Sequence, residues 1–126
     1  MKLLLDTHCL IWLLNDAPEL TPAARRLIGN AEVVYFSTAS IWEVGLKWRK
    51  GKINIQPRAM AEAALASGLH ELNIELEVIL ISSELKTRHG DPFDRLLYAQ
   101  AKHGKLKLLT VDAKLPKFGA AVIRTS

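Results

Sequence analysis

Four acidic residues, Asp6, Glu43, Asp94 and Asp112, stand where short apolar runs give way to segments of helical character. Asp6 directly follows Lys2–Leu5, and Asp112 closes Leu106–Val111. Glu43 lies about a turn into the segment after Val33–Phe36, and Asp94 falls in the first turn of a segment opened by Asp91-Pro92. A carboxylate is a hard, anionic oxygen ligand. Carboxylates gathered on one edge repel one another and raise each other's pKa unless a cation neutralises them. Mg²⁺ or Mn²⁺ does this well, because both prefer oxygen ligands and keep part of their water shell. Such an ion acidifies water, orients a phosphate and stabilises the charge of an in-line displacement.

Each acid also has a plainer reading. Asp6 and Asp112 occupy positions where aspartate caps a helix. Glu43 suits a capping box with Ser40, or an i,i+4 pair with Lys47. Asp91 as N-cap, Pro92 at the first helical position and Asp94 just inside form an acidic helix start that is structurally self-sufficient, and whether Asp91 is a cap or a substitute ligand stays open. The members can be explained singly. As a set of like charges they call for a counter-charge.

The elements that must position these acids follow from the pattern. Apolar runs at Lys2–Leu5, Val33–Phe36, Leu69–Ile74, Leu106–Val111 and Ala121–Ile123 read as strands. Between them, helical segments run over Cys9–Leu14, from Thr21-Pro22 to Gly29-Asn30, from Ser37–Ser40 to Lys50-Gly51, over Pro57–Ser67 and Glu75–Leu85, and from Asp91-Pro92 to His103-Gly104. Alternation of this kind predicts an α/β fold with a mainly parallel sheet. In such a sheet the strand carboxyl ends and the helix N-termini share one edge, and ligands bind in the crevice there. The acids should therefore converge.

The chain has 126 residues, enough for one domain spanning 1–126, with 49% hydrophobic and 24% charged residues. Its one cysteine, Cys9, excludes an internal disulfide framework, and no second His or Cys has the spacing to join His8 and Cys9 in a zinc site. No apolar stretch approaches the ~18 residues of a membrane span. The basic-then-apolar start is interrupted by Asp6, His8, Asn15 and Asp16, so the expectation is a mature chain in a reducing cytoplasm, with no membrane partner. Lys and Arg number 17 against 13 Asp and Glu, a net charge of +4 that favours a polyanionic partner. The densest basic run is Lys47, Arg49, Lys50 and Lys52, read either as a solvated helix end or as a rim that binds nucleic-acid phosphates. Arg95, beside Asp94, could pair with a carboxylate or a phosphate. His89 and His103 read as solvated surface, and Trp12, Trp42 and Trp48 as core or interface residues rather than base-stacking platforms.

Four stretches together are specific: Leu3-Leu4-Leu5-Asp6-Thr7-His8, Ser37-Thr38-Ala39-Ser40-Ile41-Trp42-Glu43, Asp91-Pro92-Phe93-Asp94-Arg95-Leu96-Leu97-Tyr98-Ala99-Gln100-Ala101, and Leu108-Leu109-Thr110-Val111-Asp112. In order, spacing and context the chain resembles a PIN-domain ribonuclease of the VapC-type toxin branch of toxin–antitoxin pairs. That resemblance implies a three-layer α/β/α fold with a central, mainly parallel sheet of about five strands. It implies Mg²⁺- or Mn²⁺-dependent RNA endonuclease activity, a homodimer, and neutralisation by a cognate antitoxin seated in a groove near the active site. Carried over residue by residue, Asp6 and Asp94 become the firmest metal ligands, Glu43 a direct or water-mediated ligand, and Asp112 a supporting acid. Asp91 is an extra carboxylate, and Ala113 stands where some members have another acid. The hydroxyls of Thr7, Ser37 and Thr110 lie near the same edge, where they could hold waters or phosphate. Two other classes remain as alternatives. One is a phosphatase-like or phosphoacceptor α/β domain, against which His8 stands where a second Asp would be needed and Ser37 ends the strand Val33–Phe36. The other is a non-catalytic binding module of the same fold in which the acids are only caps.

Overall fold

The computed structural model describes residues 1–126 except Thr87, His89, Ala113, Ala120 and Ser126. The chain runs β1 (Lys2–Leu5), α1 (Thr7–Leu14), α2 (Pro22–Asn30), β2 (Val33–Ser37), α3 (Thr38–Arg49), α4 (Pro57–Ala66), β3 (His70–Leu72), α5 (Leu76–Glu84), α6 (Pro92–Gly104), β4 (Lys107–Thr110), a 3-10 turn (Leu115–Phe118) and β5 (Val122–Arg124). The five strands form one sheet in the order β3-β2-β1-β4-β5, and every neighbouring pair is parallel.

β1 is the centre of this arrangement, and its leucine run explains why. A parallel strand covered by helices on both faces reads as continuous apolar sequence. Leu3 and Leu5 point into one core with Cys9 and Leu10 of α1, Ala24 of α2, Val44 of α3, and Met60 and Ala64 of α4. Leu4 points to the opposite face, with Leu97, Tyr98 and Ala101 of α6 and Leu115 of the 3-10 turn. The same alternation splits Leu108 from Leu109 in β4. The result is the expected α/β/α sandwich.

The helix starts are those the local chemistry favours. Asp6, Thr21, Ser37 and Asp91 each cap the following helix by accepting a backbone N–H, and Pro22, Pro57 and Pro92 stand in first turns where their missing N–H costs nothing. Several bounds shift: α1 begins at Thr7 rather than Cys9, β4 covers Lys107–Thr110 of the Leu106–Val111 run, and β5 covers Val122–Arg124 rather than Ala121–Ile123. β3 covers only His70–Leu72 of the Leu69–Ile74 run, because it is an edge strand paired on one side, and the carbonyls of Leu72 and Asn73 accept from Gln100 instead of a strand neighbour. α6 extends through Gly104, and the left-handed residue that ends it is Lys105, at φ 56°. Among the described residues, no helix is long and apolar enough to cross a membrane.

Candidate active site

The sheet order fixes where a site can form. From β1 the chain passes to β2 and β3 on one side, then returns to place β4 and β5 on the other. The reversal lies between β1 and β4, and the crevice outside the carboxyl ends of that strand pair is the usual ligand site of an open α/β sheet. Leu5 is in register with Leu109, so Asp6 and Thr110 come next to each other at this point.

Asp6 leaves β1 with its backbone N–H donating to the Leu109 carbonyl at 3.1 Å. Its Oδ1 accepts the Cys9 N–H at 2.8 Å, capping α1, and its Oδ2 accepts the Thr110 hydroxyl. The residue is only 3% exposed. Burial pushes the Asp6 carboxyl above its ordinary pKa of 3.8, with the Thr110 hydroxyl and the Cys9 N–H partly restoring the ionised form. No Lys or Arg among the described residues pairs with it. The same desolvation drives the Cys9 thiol up, which makes Cys9 an inert core residue rather than a ligand.

Around Asp6 a polar network ties the elements together. The Thr7 hydroxyl donates to Ser40 Oγ at 2.9 Å, joining the starts of α1 and α3. The Ser37 hydroxyl accepts the Ala39 N–H at 2.9 Å and donates to Gln100 Oε1. Gln100, buried on α6, donates in turn to the carbonyls of Leu72 and Asn73, each at 3.3 Å. Thr110 also accepts the Asp112 N–H at 2.9 Å. The three hydroxyls expected to serve water or phosphate are therefore engaged with protein partners and hold the edge in shape. Gln100, which stands within the third motif stretch but is given no role there, is the buried link of this network. Its one signal is a lone amide in an apolar stretch of helix, where a buried polar group must find partners.

Glu43 is buried on α3, and its Oε2 accepts from Lys47 Nζ at 2.9 Å. The i,i+4 alternative is thus the one realised. The capping box is not, since Ser37 is the N-cap and Ser40 bonds Thr7. Asp94 is half-buried in the first turn of α6. Trp42 and Phe93, the residues just before Glu43 and Asp94, meet edge to face with centroids 5.1 Å apart, so both acids ride on touching helices. Asp91 is a cap: its Oδ1 accepts from Phe93 at 2.9 Å and from Asp94 at 3.1 Å. Asp112 Oδ1 accepts the Lys114 N–H at 2.8 Å, a local turn after β4, and Ala113 lies outside the described residues.

Arg95 donates to the carbonyls of Ser82 at 2.8 Å and Leu85 at 3.0 Å, fastening the end of α5 to α6. Arg49, Lys50 and Lys52 are exposed at and beyond the end of α3. His8 is exposed and packs on Trp12, whose own ring is half-buried against the core. Trp42 and Trp48 are 54% and 41% exposed, so neither is a core residue; both are surface groups on α3. His103 pairs at the surface with Glu75 at 3.2 Å, and His89 lies outside the described residues.

The donor set at the edge is carboxylate and hydroxyl oxygen, the chemistry of a hard divalent cation. Asp6 fits it best, as a desolvated carboxylate whose hydrogen-bond donors are neutral groups. Among the described residues, no three Asp, Glu, His or Cys groups are drawn close enough to hold an ion as they stand. Glu43 turns its Oε2 to Lys47, so a cation already stands on one of its two carboxylate oxygens.

The five-stranded parallel sheet, covered by helices on both faces, defines an α/β/α fold with a buried polar centre at the switch point of its carboxyl edge. The sequence model of the PIN domain matches residues 3–121, and the chain belongs to the PIN-domain family. Solved structures share the fold over nearly the whole length. VapBC2 from Rickettsia felis, bound to a DNA fragment from its promoter, gives a TM-score of 0.70 at 18% identity over 99% of this chain and 98% of that one. A toxin–antitoxin complex from Klebsiella pneumoniae gives 0.68 at 22% identity over 95% and 94%. VapC20 of Mycobacterium tuberculosis, a Sarcin-Ricin loop cleaving toxin, gives 0.66 at 19% identity over 98% and 99%. At these identities the likeness is one of fold. No curated protein matches the chain in sequence.

Proposed function

We propose that this chain is a VapC-like toxin, a divalent-metal-dependent endonuclease that hydrolyses RNA phosphodiester bonds and is neutralised by a cognate antitoxin. The observation that carries the reading is Asp6: a carboxylate buried at the switch point of the sheet, pushed up in pKa by burial and paired with no lysine or arginine among the described residues. When bound, Mg²⁺ or Mn²⁺ would acidify the attacking water and offset the charge developing on the phosphate.

The residues take roles around that centre. Asp6, Asp94 and Glu43 hold the ion, with Asp112 in support. Thr110 fixes the rotamer of Asp6 by donating to Oδ2, and Thr7, Ser40, Ser37 and Gln100 lock the strand ends and helix starts that carry the acids. Arg49, Lys50 and Lys52, exposed at and beyond the far end of α3, gather RNA phosphates. The antitoxin partner draws support from the neighbours solved as VapBC or toxin–antitoxin complexes. A groove of about 310 Å³ between α1 and α4, where Ile11, Leu14 and Met60 stand beside Asn15, Asn54 and Gln56, offers it a mixed apolar and polar seat. A homodimer would cover Leu76, Ile79 and Leu80, which α5 leaves exposed.

The test is cleavage of single-stranded RNA with Mn²⁺ and with EDTA. Cleavage is expected only with the metal, and full activity in a metal-stripped sample refutes the reading. The caps made by Asp6 and Asp91, and the local turn made by Asp112, favour one second reading, a non-catalytic binding module. It predicts no Mn²⁺ affinity at this edge, which a titration decides.

A further inference from the structure

The ion pair between Glu43 and Lys47 is lopsided. The Glu43 side chain is 9% exposed and that of Lys47 is 46% exposed, with 2.9 Å between Oε2 and Nζ. Pairs between two solvated side chains contribute little, because water already serves both charges. Here the carboxylate is shut off from most of its water and needs a cation beside it, whereas the ammonium keeps access to solvent on a flexible stem. A fixed anion with a movable cation is the arrangement of a displaceable counter-ion. Two further facts agree. No metal-holding trio of acids is assembled among the described residues, although Asp6 and Glu43 are both buried and α3 touches α6 through Trp42 and Phe93. A lysine released from Glu43 would also join Arg49, Lys50 and Lys52, the exposed cations at the end of the same helix.

We propose that Lys47 is the internal counter-cation of Glu43, held on the carboxylate until a divalent ion displaces it. It thereby sets how much metal the site needs, and its ammonium turns to the RNA-facing rim once the site is loaded. This rests on the metal-site reading given above. Lys47 then serves Glu43 and RNA in turn, not together. It is a positioning residue, acting through Glu43.

The experiment measures Mn²⁺ binding by calorimetry in the absence of RNA. The proteins are the parent, Lys47→Met, Lys50→Met, Glu43→Gln, the Glu43→Gln/Lys47→Met double variant and Asp6→Asn, each checked for folding by its melt. Lys47→Met is expected to tighten Mn²⁺ binding about tenfold, within the ordinary span of coupling between two ligands of one group. Lys50→Met removes the same charge from the same helix end and should change affinity less than about twofold, as screened charges do. In the Glu43→Gln background, Lys47→Met should have no effect. If Lys47→Met weakens binding or leaves it unchanged while Asp6→Asn abolishes it, Lys47 only braces Glu43, and the proposal is overturned with the metal site intact. Equal tightening by Lys47→Met and Lys50→Met overturns it as well, since the effect is then one of distant charge. If the parent binds no Mn²⁺, or Asp6→Asn binds as the parent does, the metal-site reading falls and this proposal falls with it.

Discussion

Two aspartates start helices on the same edge of the sheet, and they behave differently. Asp6 begins α1 by accepting one backbone N–H, and Asp91 begins α6 by accepting two. As local chemistry the tasks are equivalent. Asp91 is exposed and, among the described residues, its side chain serves its own helix. Asp6 ends the central strand, between β2 and β4, and the second oxygen of its carboxylate is held by Thr110 from across the sheet. Its charge is buried and that of Asp91 is solvated. Capping and function are thus not rival explanations. A cap satisfies a backbone donor, but it does not supply the counter-charge that burial demands.

The largest expected effect breaks the two apart by charge. Asp6→Asn keeps an oxygen for the Cys9 N–H and removes the buried charge. RNA cleavage should fall at least about a hundredfold, the scale of removing a group that stabilises transition-state charge. Stabilisation by Mn²⁺ should vanish with it. The metal-free protein should nevertheless melt at an unchanged or higher temperature, by ~1 kcal/mol. The folded pKa of Asp6 is raised above its ordinary 3.8, so the folded state binds more protons than the unfolded one. The residue's contribution to metal-free stability is therefore greatest below the ordinary value and is lost as pH rises through the folded one. Asp6→Asn should remove that slope. Melts across the acid range, with EDTA and with Mn²⁺, measure both effects, and a variant that cleaves at the parent rate defeats the assignment of Asp6.

At Asp91 the expectation is smaller and opposite in kind. Asp91→Ala should cost about 1 kcal/mol through removal of the cap, and Asp91→Asn almost nothing, because asparagine caps equally well. Neither should alter the Mn²⁺-induced rise in melting temperature. Disappearance of that rise in Asp91→Asn would make Asp91 a ligand and erase the contrast with Asp6.

How far this contrast is legible in the sequence depends on where the information lies. The strands and helices are legible because leucine runs, capping residues and prolines act within a few positions, as in Leu3-Leu4-Leu5-Asp6 and Asp91-Pro92. The strand order is not, and it is what puts Asp6 beside Thr110. The 3-10 turn at Leu115–Phe118 is likewise invisible to local pattern. It is held by Leu115 buried in the α6-side core and by Phe118 stacked on Tyr98, both of them long-range contacts. The choice between the two partners of Glu43 is legible only as a pair of options. Arg95 reads as a group for an acid or a phosphate because it follows Asp94, and the sequence does not show that its guanidinium also donates to carbonyls at the end of α5. Hydroxyls and amides such as Ser37 and Gln100 are neutral to most patterns, and the fold alone reveals that they meet.

The smallest effect concerns charge that is wholly in water, and it extends the contrast to its other limit. Arg49, Lys50 and Lys52 are exposed at the end of α3, so replacing them with neutral residues should change stability by less than about 0.5 kcal/mol. Their effect should appear only in the salt dependence of binding to single-stranded RNA. Each phosphate that is no longer neutralised by a cation lowers the slope of log affinity against log salt by about 0.7. The triple replacement should therefore flatten the slope by up to about 2 if all three touch phosphate. Binding is measured in EDTA, which prevents cleavage and leaves Lys47 on Glu43. Under those conditions adding Lys47→Met to the triple variant should flatten the slope no further. An unchanged slope in the triple variant would reduce the basic run to a solvated helix end. A further drop on adding Lys47→Met would mean that Lys47 reaches RNA without leaving Glu43, and that its ammonium is shared between the buried carboxylate and the solvent-facing rim.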